Sequence, residues 1–503
     1  MKKRTLFLSI PLILSALGAI TSCGESSVSS VTSSAASNAP DTSETVAFDP
    51  ASLHAEITLW SIVGDKNQAQ LKNYCDSFME KYPNVKINNV KQTGMNYNQL
   101  KDAVVKGFSV NNYPDIVQCY PDHVAEYIDY GKSIDLSSYI SDPVHGWTAE
   151  EKADYIDTFL QEGEEYTIDG TYSVPFCKST ELMFWNEDVL KGLDLSSVDA
   201  TINAGAPLNQ AYFDNLTWEE LFGKLCPAII SYNDSLPENQ KILKTDQEYH
   251  SVFAYDSDDN LFITLAKQYG YGYTGINKAT GKGTIDFNND GMKSLMKTFN
   301  DAYKKGYIIS KGSAGGNYTN SYFTTQNTLF SVGSTGGVNY QFSSANPMNV
   351  GVARIPHAAG KDPFVINQGP SLTVLDHNDD DRALASWLFY KHMTNEENSL
   401  DWAINSGGYM GIRHSNYEDE DYKDATNPDG KPAKSLERLT AKSADYTKNI
   451  TGEMYTSPAF KGSSTAREQV SGLMTSCLTE ANLTDAKLND LFEKAVSQCL
   501  LAL

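Results

Sequence analysis

Apolar and polar residues alternate over 56–60, Glu56-Ile57-Thr58-Leu59-Trp60, the period-two signature of a strand with one buried face. A short loop follows, over 61–65. The period then changes. Over 66–82, Leu71, Tyr74, Cys75, Phe78 and Met79 recur at helical spacing on one face. Pro83 and Asn84 stop that helix, and Val85-Lys86-Ile87 alternates again. Strand, helix and strand at this spacing predict a βαβ unit with parallel strands and a right-handed crossover. The pattern continues with a helix over 99–108 and a strand over 115–117. Further strands are predicted at 172–174, 329–331, 350–354 and 371–374, and helices at 261–269, 292–305 and 382–393. The class is α/β. About 450 residues from Glu56 onward exceed one ordinary domain, so two lobes are expected.

The N-terminal end follows different rules. A basic head (Lys2, Lys3, Arg4), an apolar stretch over 6–20 and the small residues Thr21-Ser22 make a secretory leader. The stretch is too short for a lasting membrane span. Cys23 directly follows, and the run Ile20-Thr21-Ser22-Cys23 resembles a bacterial lipobox. That resemblance implies cleavage after residue 22 and a lipid on Cys23. Residues 23–51, rich in Ser, Thr and Ala, read as a flexible tether. The chain is thus expected outside the cytoplasm, held to the cell membrane only by its lipid.

Formal net charge is −23, and loss of Lys2, Lys3 and Arg4 with the leader would take it to −26. So acidic a surface repels nucleic acid and anionic lipid. Six further cysteines (Cys75, Cys119, Cys177, Cys226, Cys477, Cys499) form no CxxC and no dense framework. They are expected mostly as free, buried thiols, with Cys477 and Cys499 the pair nearest to a disulfide pattern.

Motif-like runs carry little. Gly270-Tyr271-Gly272-Tyr273-Thr274-Gly275 matches GxGxxG, but it leaves a helix rather than a strand. Asp286 to Gly291 opens like a calcium loop, yet the twelfth position is Lys297 rather than a bidentate Glu. A strand through Ile285 and Phe287, then Asn288 or Asn289 capping a helix from Asp290, explains it better. Gly131-Lys132-Ser133 lacks the first glycine of a phosphate loop; that position is Glu126. No HExxH and no GxSxG occurs. The sequence calls for no catalytic residue, no cofactor and no metal.

Taken in order, "EITLWSIVGDKNQAQLKNYCDSFMEKYPNVKI", "YPDIVQCYPDHVAEYIDYGKSIDLSSYI", "YSVPFCKSTELMFWNEDVL", "LFSVGSTGGVNY", "VGVARIPHAAG", "FVINQGPSLTVL", "SGGYMGIRHS" and "SPAFKGSSTAREQV" resemble the carbohydrate-type solute-binding proteins of ABC importers. They are most similar to the maltose-binding and glycerol-3-phosphate-binding proteins. The resemblance implies a two-lobed periplasmic-binding-protein-like fold with a hinge and a ligand cleft between lobes. It places the first lobe at 52–177 and 333–376 and the second at 178–332 and 377–503. It implies a monomer that delivers a small carbohydrate-like solute (a sugar, short oligosaccharide or polyol) to a membrane permease. A glycerol-phosphate ligand is the alternative, and an exported glycosidase a more distant one.

By the same resemblance, ligand contacts fall on Asp65, Lys66, Tyr120, Asp122, Ser179, Thr180, Ser334, Thr335, Gly369, Tyr409 and Arg467. The types suit the chemistry: a polyol needs planar groups for its hydroxyls and aromatic faces for its C–H surface. Asp65 also fits a helix cap, Tyr120 a core position, and Arg467 an ion pair with Glu468 or another acid. Cys119, Thr335 and Ser463 stand where maltose-type proteins carry aromatics, which implies a smaller solute than a maltodextrin.

Overall fold

The computed structural model describes residues 48–503, so the leader, Cys23 and most of the tether lie outside the described residues. The described residues are already structured ahead of Glu56. Asp49 accepts from the Ala51 amide at 2.9 Å and caps the turn Pro50–Ser52, while Phe48 meets the His145 ring edge-on at 4.5 Å.

The predicted βαβ unit is present as strand Ala55–Ser61, helix Asp65–Lys81 and strand Val85–Lys91, the two strands parallel from Ala55 opposite Val85 to Ser61 opposite Lys91. The helix buries Leu71, Tyr74, Cys75 and Phe78 on the face its periodicity marked. Burial pushes the Cys75 thiol up to about 12, so it is an inert core group. All six cysteines among the described residues are buried and free.

Two five-stranded sheets organise the molecule. The first runs Val85–Lys91, Ala55–Ser61, Ile116–Cys119, Ser371–Val374, Val174–Pro175. The second runs Val350–Ala353, Glu181–Asn186, Phe330–Ser334, Phe253–Tyr255, Ile308–Ser310. Ala55–Ser61, Val85–Lys91 and Ile116–Cys119 run parallel in the first, and Phe253–Tyr255, Ile308–Ser310 and Phe330–Ser334 in the second. The strands that arrive from the other sheet, Ser371–Val374 in the first and Glu181–Asn186 in the second, pair antiparallel with Ile116–Cys119 and Phe330–Ser334.

Parts of the chain sit in the other lobe than expected, helix Glu396–Asn405 among them, its Trp402 lying in the first sheet's core. The resemblance places Val350–Ala353 in the first lobe, but it pairs with Glu181–Asn186 in the second sheet. All four of its residues are buried, and that strand's free edge accepts them. The resemblance places helix Asp380–Met393 in the second lobe. That helix instead packs Trp387 and Phe389 with Ile57, Leu71 and Phe78 of the first sheet's core. The decoy motifs resolve as expected: Gly270 caps a helix at φ +73°, and Asn289 accepts from the Met292 amide at 2.9 Å. Among the described residues no His/Cys/Asp/Glu cluster suits a metal.

Between the sheets the chain crosses at 175–181 and again at 366–371, and both crossings are knotted to one buried ion pair. Lys178, with no exposed surface, places its ammonium 2.8 Å from each oxygen of Glu162 and 3.0 Å from the Gly369 carbonyl. Ser371 Oγ at 2.7 Å and Asn367 Nδ2 at 3.0 Å donate to the same carboxylate. The Ser179 and Gln368 backbones exchange hydrogen bonds of 2.8 and 3.0 Å beside it. A buried pair tolerates desolvation only when every polar atom is matched, as here. Glu162→Gln should therefore cost about 3–5 kcal/mol in urea unfolding, because it strands the Lys178 charge. The double change Glu162→Gln with Lys178→Met should cost clearly less than the two single changes added together. Full additivity would mean the pair is not a unit.

Candidate functional site

Strand ends of both sheets and the crossings converge on one polar cluster. Glu181 opens a strand immediately after the first crossing and is 2% exposed. Tyr255 donates to it at 2.5 Å and Asn260 Nδ2 at 2.9 Å. Asn260 Nδ2 also reaches Gln368 Oε1 at 3.0 Å, and Arg467 Nη1 donates to Asn260 Oδ1 at 2.7 Å and to Asp259 Oδ2 at 2.9 Å. Asp259 and Asn260 occupy the first turn of helix Asp258–Tyr269, just beyond strand Phe253–Tyr255. Arg467 lies on helix Ser463–Thr479. The carboxyl-end rule for open α/β sheets predicts a ligand cleft at this place.

Electrostatics couple the cluster across the cleft. Burial works against the Arg467 charge, but Asp259 and then Asp122, on the opposite side, more than offset it and hold the guanidinium well above its ordinary range. Burial pushes Glu181 up from 4.5 to about 7; the Tyr255 and Asn260 hydrogen bonds oppose the rise, and Asp259 and Asp256 add to it. Three tyrosines line the first-sheet side. Tyr97 opens helix Tyr97–Phe108 and meets Tyr120 edge-on at 4.6 Å. Tyr409 stacks on Trp402 at 6.2 Å, its loop fixed by the Met410 amide on the Lys178 carbonyl at 2.8 Å. Burial raises the hydroxyls of all three, so they act as neutral donors and stacking faces.

The structure thus brings together Tyr120, Asp122, Tyr409 and Arg467 of the residues expected from sequence. Arg467 has the anticipated ion-pair partner as well, but it is Asp259. Glu468 instead accepts from Asn98 across the cleft at 2.9 Å. Ser179 and Ser334 lie at the crossings with hydroxyls 3.4 Å apart, and Ser334 caps Gly336.

Others are placed away from the cluster. The Asp65 carboxylate stands almost wholly in solvent and pairs with Lys91 at 2.5 Å, and Lys66 is exposed beside it; this helix start faces outward along the sheet edge. Thr180 and Thr335 are buried and bonded to each other: the Thr180 amide donates to Thr335 Oγ1 and the Thr335 amide to the Thr180 carbonyl, while the Thr180 hydroxyl is spent on the Ile366 carbonyl. Gly369 has φ +83°, and a Cβ there would lie 2.1 Å from the Cys177 carbonyl oxygen. The close approach of the two crossings is by itself enough to require glycine there. The Gly336 backbone is likewise covered by the Tyr409 ring, 3.0 Å from a would-be Cβ.

Sequence reasoning passed over Asp259, Asn260, Tyr255, Tyr97 and Gln368. Glu181 is not among the expected contacts either. The available signal was the polar run Asp256-Ser257-Asp258-Asp259-Asn260 between a buried strand and a buried helix. Reading the helix as starting at 261 hid it.

Sheets, crossings and inter-sheet cleft define a two-lobed binding protein of the periplasmic type. The profile of the bacterial extracellular solute-binding proteins matches residues 73–429, and the chain belongs to that family. A search of curated proteins finds no match. Among solved structures, UgpB of Mycobacterium tuberculosis in complex with glycerophosphocholine shares 16% identity and a TM-score of 0.64, covering 89% of this chain and 98% of its own. The GacH receptor of Streptomyces glaucescens, solved unliganded and with acarbose, gives 15% and 0.63, covering 88% and 99%. The cyclic alpha-maltosyl-1,6-maltose binding protein of Arthrobacter globiformis gives 16% and 0.62, covering 89% and 99%. Among the described residues no helix is long and apolar enough to cross a membrane.

A raised Glu181 has a defined consequence for stability. The fold favours its protonated form, so its stabilising contribution is complete below about pH 4.5 and is lost as pH rises through about 7. The loss amounts to about 3 kcal/mol. Urea unfolding of wild type and Glu181→Gln at pH 5, 6, 7 and 8 should show wild type falling relative to the variant. A constant difference would place the titration elsewhere.

Proposed function

We propose that this chain is the solute-capturing lipoprotein of an ABC importer, and that its solute is an uncharged polyhydroxylated molecule of one to a few sugar units. It closes on the solute outside the cell, delivers it to a membrane permease, and performs no chemistry on it. The first lobe comprises the first sheet with 380–405, the second comprises the second sheet with 258–353 and 411–503, and the crossings between them form the hinge. Family membership supports capture and delivery, and the neighbours solved with glycerophosphocholine or named for a cyclic maltosyl-maltose accord with that reading. Nothing in the chemistry calls for nucleic acid or a second copy.

One observation favours a neutral solute. Arg467, the one cation of the cluster among the described residues, is already paired with Asp259, and Asp122 faces it. With Asp256 also near, the cleft carries surplus negative charge. A phosphate monoester would have to displace Asp259 and approach two more carboxylates. Phenol rings at Tyr97 and Tyr120 suit sugar C–H surfaces instead. The glycerol phosphodiester is the second reading, favoured by the UgpB likeness alone.

Isothermal titration of the mature protein with maltose, raffinose, myo-inositol, glycerol-3-phosphate and glycerophosphocholine tests this. A neutral compound should bind and be recovered intact by chromatography hours later, the phosphomonoester should not bind, and Arg467→Ala should weaken binding by about 2–5 kcal/mol with a small change in melting temperature. Binding of glycerol-3-phosphate alone, or turnover of any bound compound, contradicts the proposal.

The anchor has its own test. Cys23→Ser should release the protein from the membrane fraction and abolish acyl labelling. Retention of both would put the anchor elsewhere.

A further inference from the structure

Hydrogen-bond direction in the cleft is set at one end by a group that can only donate. A guanidinium has five N–H donors and no acceptor. The Asn260 atom 2.7 Å from Arg467 Nη1 is therefore its oxygen. The Asn260 NH2 must then face the other way, toward Glu181 Oε1 at 2.9 Å and Gln368 at 3.0 Å. Both hydrogens of that NH2 are engaged, so the Gln368 atom receiving one of them is its oxygen. The Gln368 NH2 is left over. It has no partner among the described residues, although the residue is partly exposed and its backbone is clamped by two hydrogen bonds to Ser179.

We propose that Gln368 contacts the solute and sets its specificity, its side-chain amide being held with the NH2 toward the cleft by Arg467 acting through Asn260. This rests on the cleft being the solute site. Gln368 is a contacting residue and Asn260 a positioning one. The pair of donors demands an acceptor on the solute: a hydroxyl, ring or glycosidic oxygen. Asp122, buried and with no hydrogen-bond partner among the described residues, supplies the complementary acceptor for a hydroxyl hydrogen. A solute seated here therefore presents an oxygen acceptor toward the crossing and a hydroxyl donor toward the first lobe, as adjacent hydroxyls on a sugar ring do. Glu181 does not alter the direction, since its Oε1 accepts from Asn260 in either protonation state.

The orientation is measurable without any solute. In 15N-labelled mature protein, Gln368→Ala and Asn260→Ala identify the two side-chain amide signals. The Asn260 NH2 should exchange slowly with water and the Gln368 NH2 fast. In Asn260→Asp, a carboxylate accepts from both Arg467 and Gln368, so the Gln368 NH2 should turn inward and become slow. A Gln368 NH2 already slow in wild type, or unchanged in Asn260→Asp, overturns the relay. If Asn260→Asp does not fold, the wild-type exchange rates decide the orientation alone. Contact is then tested by titrating maltose and glycerophosphocholine. Gln368→Ala should lose about tenfold in affinity, one hydrogen bond's worth, with its melting temperature held. The double change with Asn260→Asp should lose no more than Gln368→Ala does. Undiminished affinity in Gln368→Ala, or additive losses, contradicts the contact. If neither probe binds wild type, the exchange data still decide the relay, and the reading of the cleft is what fails.

Discussion

Everything that positions the cleft depends on one buried ion pair. Lys178 and Glu162 lie where the chain passes between the two sheets, and the carboxylate is matched by an ammonium, a hydroxyl and an amide. Desolvating two charges is costly, and such a site persists only if complete. Completeness is what fixes geometry. Gly369 must approach the Cys177 carbonyl so closely that no side chain fits, and Gln368 and Ser179 are locked backbone to backbone. The loop bearing Tyr409 hangs from the Lys178 carbonyl. The crossings are thus a rigid knot, and two residues that face the cleft are attached to it.

From that knot the polar order propagates. The Arg467 charge, paired with Asp259, dictates which way Asn260 points, and Asn260 dictates Gln368. Glu181 closes the chain against Tyr255 in a site dry enough to favour its protonated form. A cleft with one neutralised cation, surplus carboxylates and several phenols offers directed hydrogen bonds and stacking faces rather than charge. That chemistry matches an uncharged polyol, and it is compatible with an acidic protein surface that would repel anions at long range.

Periodicity carried the scaffold well. Strand 55–61, helix 65–81 and strand 85–91 follow directly from the spacing of Ile57, Leu59, Leu71, Phe78 and Ile87. It carried connectivity less well. Nothing local to Val350–Ala353 or Asp380–Met393 states which sheet they join, because that depends on partner edges and cores far away in sequence. The site was half legible. Tyr120, Asp122, Tyr409 and Arg467 follow from family resemblance. Asp65 did not join them, since a carboxylate at a helix start is as well served by a lysine on the next strand. Asn260 and Gln368 were invisible, because their importance lies in the direction of hydrogen bonds between residues over a hundred positions apart.

The central claim is that a neutral solute sits between the two sheets against this directed network. A crystal structure of the mature protein grown with an equimolar mixture of maltose, raffinose and myo-inositol tests it most directly. The account predicts ring-shaped density bounded by Tyr97, Tyr120 and Asp122 on one side and by Gln368 and Arg467 on the other, with the Lys178–Glu162 pair intact. Density on an outer face of either sheet, or a cleft that holds only solvent, would contradict it.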